Sequence, residues 1–253
     1  MIHYNILVES NYPIFLSLIL SMLFFSLMIM LKMNLSNMFL MGFFFVFFCL
    51  MMWLMNIFAE GLMGNHSFFM QDGFKISFYY FLFSEFMFFF SLFWFFFDTS
   101  LIPMEEIGEF WIPKGVEMVQ PFSIPFLNSL ILLSSAITLT WVHYGFLSFK
   151  KKMLFYFLTL FLGLMFLMLQ LFEYKMMVFS ISDGIYGSLF YFLTGFHGLH
   201  VFLGLLFLLM NFILLKKNNF VMNHHLSFEF SIIYWHFVDV IWLYLFIFLY
   251  WWS

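Results

Sequence analysis

Arginine is absent from this chain, cysteine occurs once, and charged residues make up only 9% of its 253 positions. Each shortage removes a class of function. With lysine as the sole permanent side-chain cation and a formal net charge of -4, the chain offers no basic surface that could hold nucleic acid. The lone cysteine, Cys49 in VFFCLMM, excludes disulfides within the chain, thiolate zinc sites and iron–sulfur clusters by count, and fits the role of a small buried hydrophobe. The opening residues, MIHYNILVESNYP, hold no lysine, so insertion without a basic leader peptide is expected. The phosphate-cradling pattern GxxxxGK[ST] does not occur, and HGLHVFLG lacks the lysine that such a loop needs.

What remains is apolar. Hydrophobic residues account for 65% of the chain and aromatics for 26%, far outside the range of soluble domains, so this is an integral membrane protein. A helix needs about 20 mainly apolar residues to cross the hydrocarbon layer. Seven such windows are present, near residues 14–31, 39–58, 76–97, 124–147, 153–172, 184–215 and 228–252. Their hydrophobicity is continuous and does not alternate with period two, which predicts helices and not a barrel. Seven spans put the termini on opposite sides of the membrane. Lys75, Lys150, Lys151, Lys152, Lys216 and Lys217 then share the N-terminal side, against Lys32, Lys114 and Lys175 opposite, which places the N-terminus on the side of insertion.

Polar groups inside the spans are costly unless paired or wetted, so each is a candidate for function and for plain helix adhesion. In the third span Ser77, Ser84 and Ser91 recur every seven residues and so share one face, with Glu85 bordering it near mid-depth. Two readings of Glu85 stand side by side: a neutral acid bonded to a neighbouring helix, or a group that takes up and releases protons when water reaches it. The fourth span carries Asn128, Ser134, Ser135, Thr138 and Thr140 before ending in His143 and Tyr144, a set expected to bond between helices. The sixth has glycines at 184, 187, 195, 198 and 204 that allow close helix approach, and His197 and His200 at i,i+3 spacing. Those two could share a metal in geometry, but no cysteine or obvious carboxylate joins them on that face, so no metal is expected. His236 and Asp239 on the seventh span are again i,i+3 and are expected to form a neutralised pair that pins the helix. A haem or binuclear copper site is disfavoured because the histidine-bearing helices also carry the glycine packing faces and no paired-histidine arrangement recurs on a second core helix.

Four strings carry a resemblance: SEFMFFFSLFWFFF, IPFLNSLILLSSAITLTWVHY, LQLFEYKMMVFSISDGIYGSLFYFLTGFHGLHVFLG and NHHLSFEFSIIYWHFVDVIWLYLFIFLYWW. In order and spacing they resemble subunit III of mitochondrial cytochrome c oxidase, from about residue 60 to the C-terminus. The first 60 residues agree only in hydrophobic profile, with a loose echo in VESNYP.

The resemblance implies an all-α fold of seven transmembrane helices. It sets a two-helix group (1–60) beside a five-helix group (61–253), with a V-shaped cleft that holds phospholipids. It implies a redox-inactive core subunit with no catalytic or metal-binding residues of its own. Haem and copper would reside in subunits I and II, which with accessory subunits would be its partners. Its role would be to support the complex, its lipids and sustained proton uptake, in the mitochondrial inner membrane with the N-terminus in the matrix and the C-terminus in the intermembrane space. Residue by residue, Glu85 matches the family's intramembrane glutamate near the cleft, and Trp53, Glu60, His66 and Lys75 match lipid-contact positions. Histidines 143, 197, 200 and 236 and Asp239 remain structural polar groups. Lys75 stands where arginine is usual, so a bidentate phosphate clamp becomes a point charge. Other departures are GNHS with its single His66, HY at 143–144, Asp98, Leu214 and Asn219. The alternative from another class is a proton-coupled transporter or channel using Glu85 and His236/Asp239.

Overall fold

The structure is a computed structural model that describes residues 10–33, 36–64, 68–103, 111–112, 116, 118–148, 150, 152–217 and 225–252. It contains α1 (Tyr12–Met33), α2 (Ser36–Leu62), α3 (Phe68–Leu101), α4 (Ile124–Leu147), α5 (Met153–Met176), α6 (Gly184–Lys216) and α7 (Leu226–Leu245). All seven expected spans are present, each long and apolar enough to cross a membrane, and no strand occurs among the described residues. Several helices outrun their apolar windows. The 34 residues of α3 amount to about 50 Å of helix, well beyond the roughly 30 Å hydrocarbon layer, because a helix is not obliged to stop where its charges begin. Beyond α7 the chain continues as a π-helical segment, Phe246–Trp251, which hydropathy alone does not reveal.

Two compact units make up the chain, Met1–Phe74 and Lys75–Ser253, and the division falls within α3. In the first unit, α1 and α2 form a hairpin that packs tightly at Gly42. A side chain there would lie 3.4 Å from Ser26 Oγ and 3.5 Å from Leu23 Cα. Ser26 is buried and returns its hydroxyl to Leu23 O at 2.7 Å, so it presents little more than a small surface to α2.

The second unit is built around Trp235. Its indole is fully buried and lies in a slot formed by two glycines, Gly163 on α5 and Gly204 on α6. A Cβ at Gly163 would come within 2.7 Å of the ring and 2.6 Å of Leu205 Cδ2, and one at Gly204 within 3.1 Å of the ring. On α4, Ser135 Oγ accepts the indole N–H at 2.9 Å, so one side chain ties four helices together. Tyr156 donates to Leu208 O at 2.8 Å and Ser227 donates to Asn211 Oδ1 at 2.8 Å, adding polar links between α5 and α6 and between α6 and α7.

Short connections set the order of the helices. Between α4 and α5, Lys150 N–H donates to Gly145 O at 2.8 Å, and Lys152 Nζ sits 3.7 Å above the Trp141 ring. Between α5 and α6, Asp183 accepts from Ser180 N–H at 2.7 Å, and Gly184 then enters α6 with φ of 77°, a left-handed conformation suited to glycine. Pro125 occupies the first turn of α4, where its missing N–H costs nothing.

The expected bonds between helices from the serines and threonines of α4 are mostly not formed. Ser134, Thr138 and Thr140 donate to Ile131 O, Ser135 O and Ile137 O of their own helix, and only Ser135 reaches across. Ser84 and Ser91 on α3 likewise donate to Phe81 O and Phe88 O. A hydroxyl in an apolar surrounding finds the carbonyl three or four residues back without help from any neighbour, so self-satisfaction wins by proximity.

The fit around Gly163 yields a direct test. Gly163→Ala is expected to destabilise the chain by about 1–3 kcal/mol through overpacking against Trp235 and Leu205. Gly198→Ala, with open space around its position, is expected to be neutral or stabilising by up to about 1 kcal/mol. Thermal unfolding followed by helical circular dichroism in detergent measures both.

Candidate functional site

Glu85 and His200 meet in the second unit. Glu85 sits on α3 among bulky rings, and α3 packs on α6 and α7 largely through aromatic contacts: Phe78 stacks on Phe230 at 4.3 Å, and Phe88 meets Phe196 edge-on at 5.1 Å. Within that layer His200 Nε2 lies 2.8 Å from Glu85 Oε2, linking residues 115 positions apart. The imidazole is also flanked by Phe89 at 5.1 Å.

The protonation chemistry of this pair follows from its other bond. His200 Nδ1 is 2.7 Å from Phe196 O, and a carbonyl can only accept, so Nδ1 carries a hydrogen. That leaves Nε2 and Glu85 Oε2 to share one proton. With the proton on oxygen both groups are neutral; with it on nitrogen the pair is a carboxylate beside an imidazolium. Net charge is zero either way, which is what an apolar surrounding tolerates best. The His200 side chain is 8% exposed and that of Glu85 26%, so the histidine is the more deeply enclosed partner within this chain.

The other sequence-predicted residues take different places. His197 points away from His200: its Nε2–H donates to Val238 O at 3.2 Å, and its ring packs on Phe166 and Trp242. The i,i+3 histidines therefore do not converge. His236 Nδ1 and Asp239 Oδ2 are 3.9 Å apart, an ion-pair spacing too long for a hydrogen bond, and neither Asp239 oxygen has a hydrogen-bond partner. His143 is half-buried with its ring against Phe228. Trp53 and Glu60 are half-buried on α2, Lys75 is exposed on α3, and His66 lies outside the described residues. Among the described residues, no group of three or more His, Cys, Asp or Glu side chains is placed to hold a metal ion.

Sequence reasoning missed a second polar group. The fifth span was expected to end near residue 172, yet α5 continues to Met176 and buries both Gln170 and Glu173. Glu173 accepts from Tyr250 OH at 2.8 Å, and Tyr174 OH lies 2.7 Å from Thr194 Oγ1. The i,i+3 spacing of Gln170 and Glu173 was the available signal, since it puts both on one helix face. The carboxylate that joins His200 was likewise invisible within its own span, because it arrives from another helix.

Comparison with known proteins accounts for the whole chain. A family model described as "Cytochrome c oxidase subunit III" matches residues 2–253. Curated proteins named cytochrome c oxidase subunit 3 are similar over most of their length. That of Mammuthus primigenius is 42% identical over 204 residues, covering 79% of this chain and 78% of its own. That of Arabidopsis thaliana is 42% identical over 215 residues (84% and 81%), and that of Rhipicephalus sanguineus 43% identical over 206 residues (79% of each). Seven apolar helices and a match that spans the chain place it in one family: the chain belongs to the cytochrome c oxidase subunit III family.

Proposed function

We propose that this chain is a redox-inactive core subunit that stabilises the oxidase, holds phospholipid and sustains proton uptake by the subunits that carry haem and copper. As a subunit III it works with other subunits of an oxidoreductase complex of the respiratory chain; its specific partners are proposed to be subunits I and II together with accessory subunits. The proposed location is the mitochondrial inner membrane with the N-terminus in the matrix, supported by the excess of lysines assigned to that side. Phospholipid is the proposed ligand, with Trp53, Glu60 and Lys75 as contacts and His66 as a further candidate.

The observation that carries the proton reading is the Glu85–His200 hydrogen bond. A packing role requires only that the acid be satisfied. A proton-handling role requires in addition a second basic atom close enough to exchange the same proton, and His200 Nε2 supplies it at 2.8 Å.

Glu85→Ala is expected to leave the haem spectrum and initial turnover of the assembled oxidase near normal while accelerating activity loss during sustained turnover several-fold. His200→Leu should behave alike, and the double variant should be no worse than either single one, the non-additivity of groups acting as a unit. Proton uptake and inactivation kinetics measure this, and unchanged inactivation in Glu85→Ala would return the residue to a packing role.

Lys75 gives an independent test of lipid binding. Lys75→Ala should weaken retention of anionic phospholipid by about 1 kcal/mol, roughly fivefold. Lys75→Arg should tighten it by restoring a bidentate donor. Lipid counts by native mass spectrometry after graded delipidation read both changes.

A further inference from the structure

The polar group at the C-terminal end of α5 is separate from the Glu85–His200 pair, and its hydrogen bonds can be counted to completion. Glu173 and Gln170 are 2% and 4% exposed, and Thr194 and Tyr250 are equally enclosed at 0% and 3%. Thr194 gives its single hydroxyl hydrogen to Phe190 O at 2.6 Å. The bond between Thr194 and Tyr174 must then use the phenol hydrogen of Tyr174. The phenol hydrogen of Tyr250 goes to Glu173 Oε1. Both phenol donors are thus committed.

Three buried atoms are left without partners: Gln170 Oε1, Gln170 Nε2 and Glu173 Oε2. Gln170 lies beside both phenols but is aligned for a hydrogen bond with neither. Exchanging the amide oxygen and nitrogen does not help, because both lack partners. No hydroxyl around the amide oxygen has a hydrogen to spare, and Glu173 Oε2, which a proton would turn into a donor, does not bond to it. Native interiors rarely leave such atoms orphaned, and the usual remedy is a water making about three hydrogen bonds.

We propose that Gln170, Glu173, Tyr174 and Tyr250 form a buried hydration site in which a water donates to Gln170 Oε1 and Glu173 Oε2 and accepts from Gln170 Nε2 or a neighbouring water. Water suits all three atoms because it donates twice and accepts twice, and i,i+3 spacing puts the amide and the carboxyl on one face, one turn apart. The water joins two side chains of α5, one of which, Glu173, is the acceptor that holds Tyr250 of the π-helical segment.

A density map of the assembled oxidase at a resolution that shows ordered water tests the site without any substitution. The expected result is a peak within hydrogen-bonding distance of Gln170 Oε1 and Glu173 Oε2. A direct bond between the two side chains with no peak would overturn the proposal. Gln170→Leu supplies a second arm with opposite signs for the two cases. If water bridges the pair, removing the amide strands Glu173 Oε2 and lowers the temperature at which this subunit leaves the complex by a few degrees. If the amide is simply unsatisfied, the apolar replacement relieves its burial and raises that temperature, which counts against the site.

Discussion

The seating of Trp235 between Gly163 and Gly204 is the constraint on which the second unit depends. Hydrocarbon gives no hydrophobic push between helices, so association has to come from close fit and from polar bonds that lipid cannot replace. Trp235 combines the two. Its ring fills a slot open only because two residues lack side chains, and its N–H goes to Ser135 on a fourth helix. With α7 fixed in this register, Val238 O comes within reach of His197, and that bond holds the neighbouring turn of α6 in place. His200 lies one turn further along that helix. The orientation of the histidine that meets Glu85 is therefore inherited from a packing contact elsewhere in the bundle.

The packing of α3 follows a different rule. Its contacts with α6, α7 and the segment beyond α7 run through rings: Phe88 meets Phe196, Phe78 stacks on Phe230, Phe93 and Phe97 are both set edge-on to Phe248, and Phe96 lies against Trp252. Rings of this size hold helix axes apart, and their edge-to-face contacts are worth only about 0.5–1.5 kcal/mol each beyond burial. Where backbones cannot approach, a long side chain must span the gap if a polar bond is to form at all. Glutamate and histidine together are long enough. The same bond that makes the pair chemically interesting thus also fixes the rotation of α3 about its own axis.

The spans were legible because a membrane imposes a length and a composition that appear directly in residue order, and all seven helices lie where hydropathy put them. Less could be read of what the small residues do. The glycines of α6 suggest a packing face, and Gly204 and Gly187 do meet close neighbours. Gly198 faces open space, while the tightest helix–helix fit falls on Gly163 of α5, a lone glycine with no pattern around it. The hydroxyls of α4 misled for a related reason: sequence shows a donor but not the carbonyl of its own helix already waiting for it. Glu85 was recognisable as an outlier, yet its partner is 115 positions away, and only the folded contact map connects the two.

Pairing also explains why Glu85 and Glu173 differ in what they can do. Glu173 accepts from a phenol, a group that gives a hydrogen bond but surrenders its proton only with difficulty, so that bond stabilises without exchanging. Glu85 faces an imidazole whose second nitrogen is already engaged by Phe196 O, so the proton between them can rest on either atom at no cost in net charge. Adding or removing a proton, by contrast, would leave an uncompensated charge in an apolar surrounding. The difference between the two acids thus lies in the partner each one meets, an imidazole on α6 or a phenol beyond α7, and not in the acids themselves.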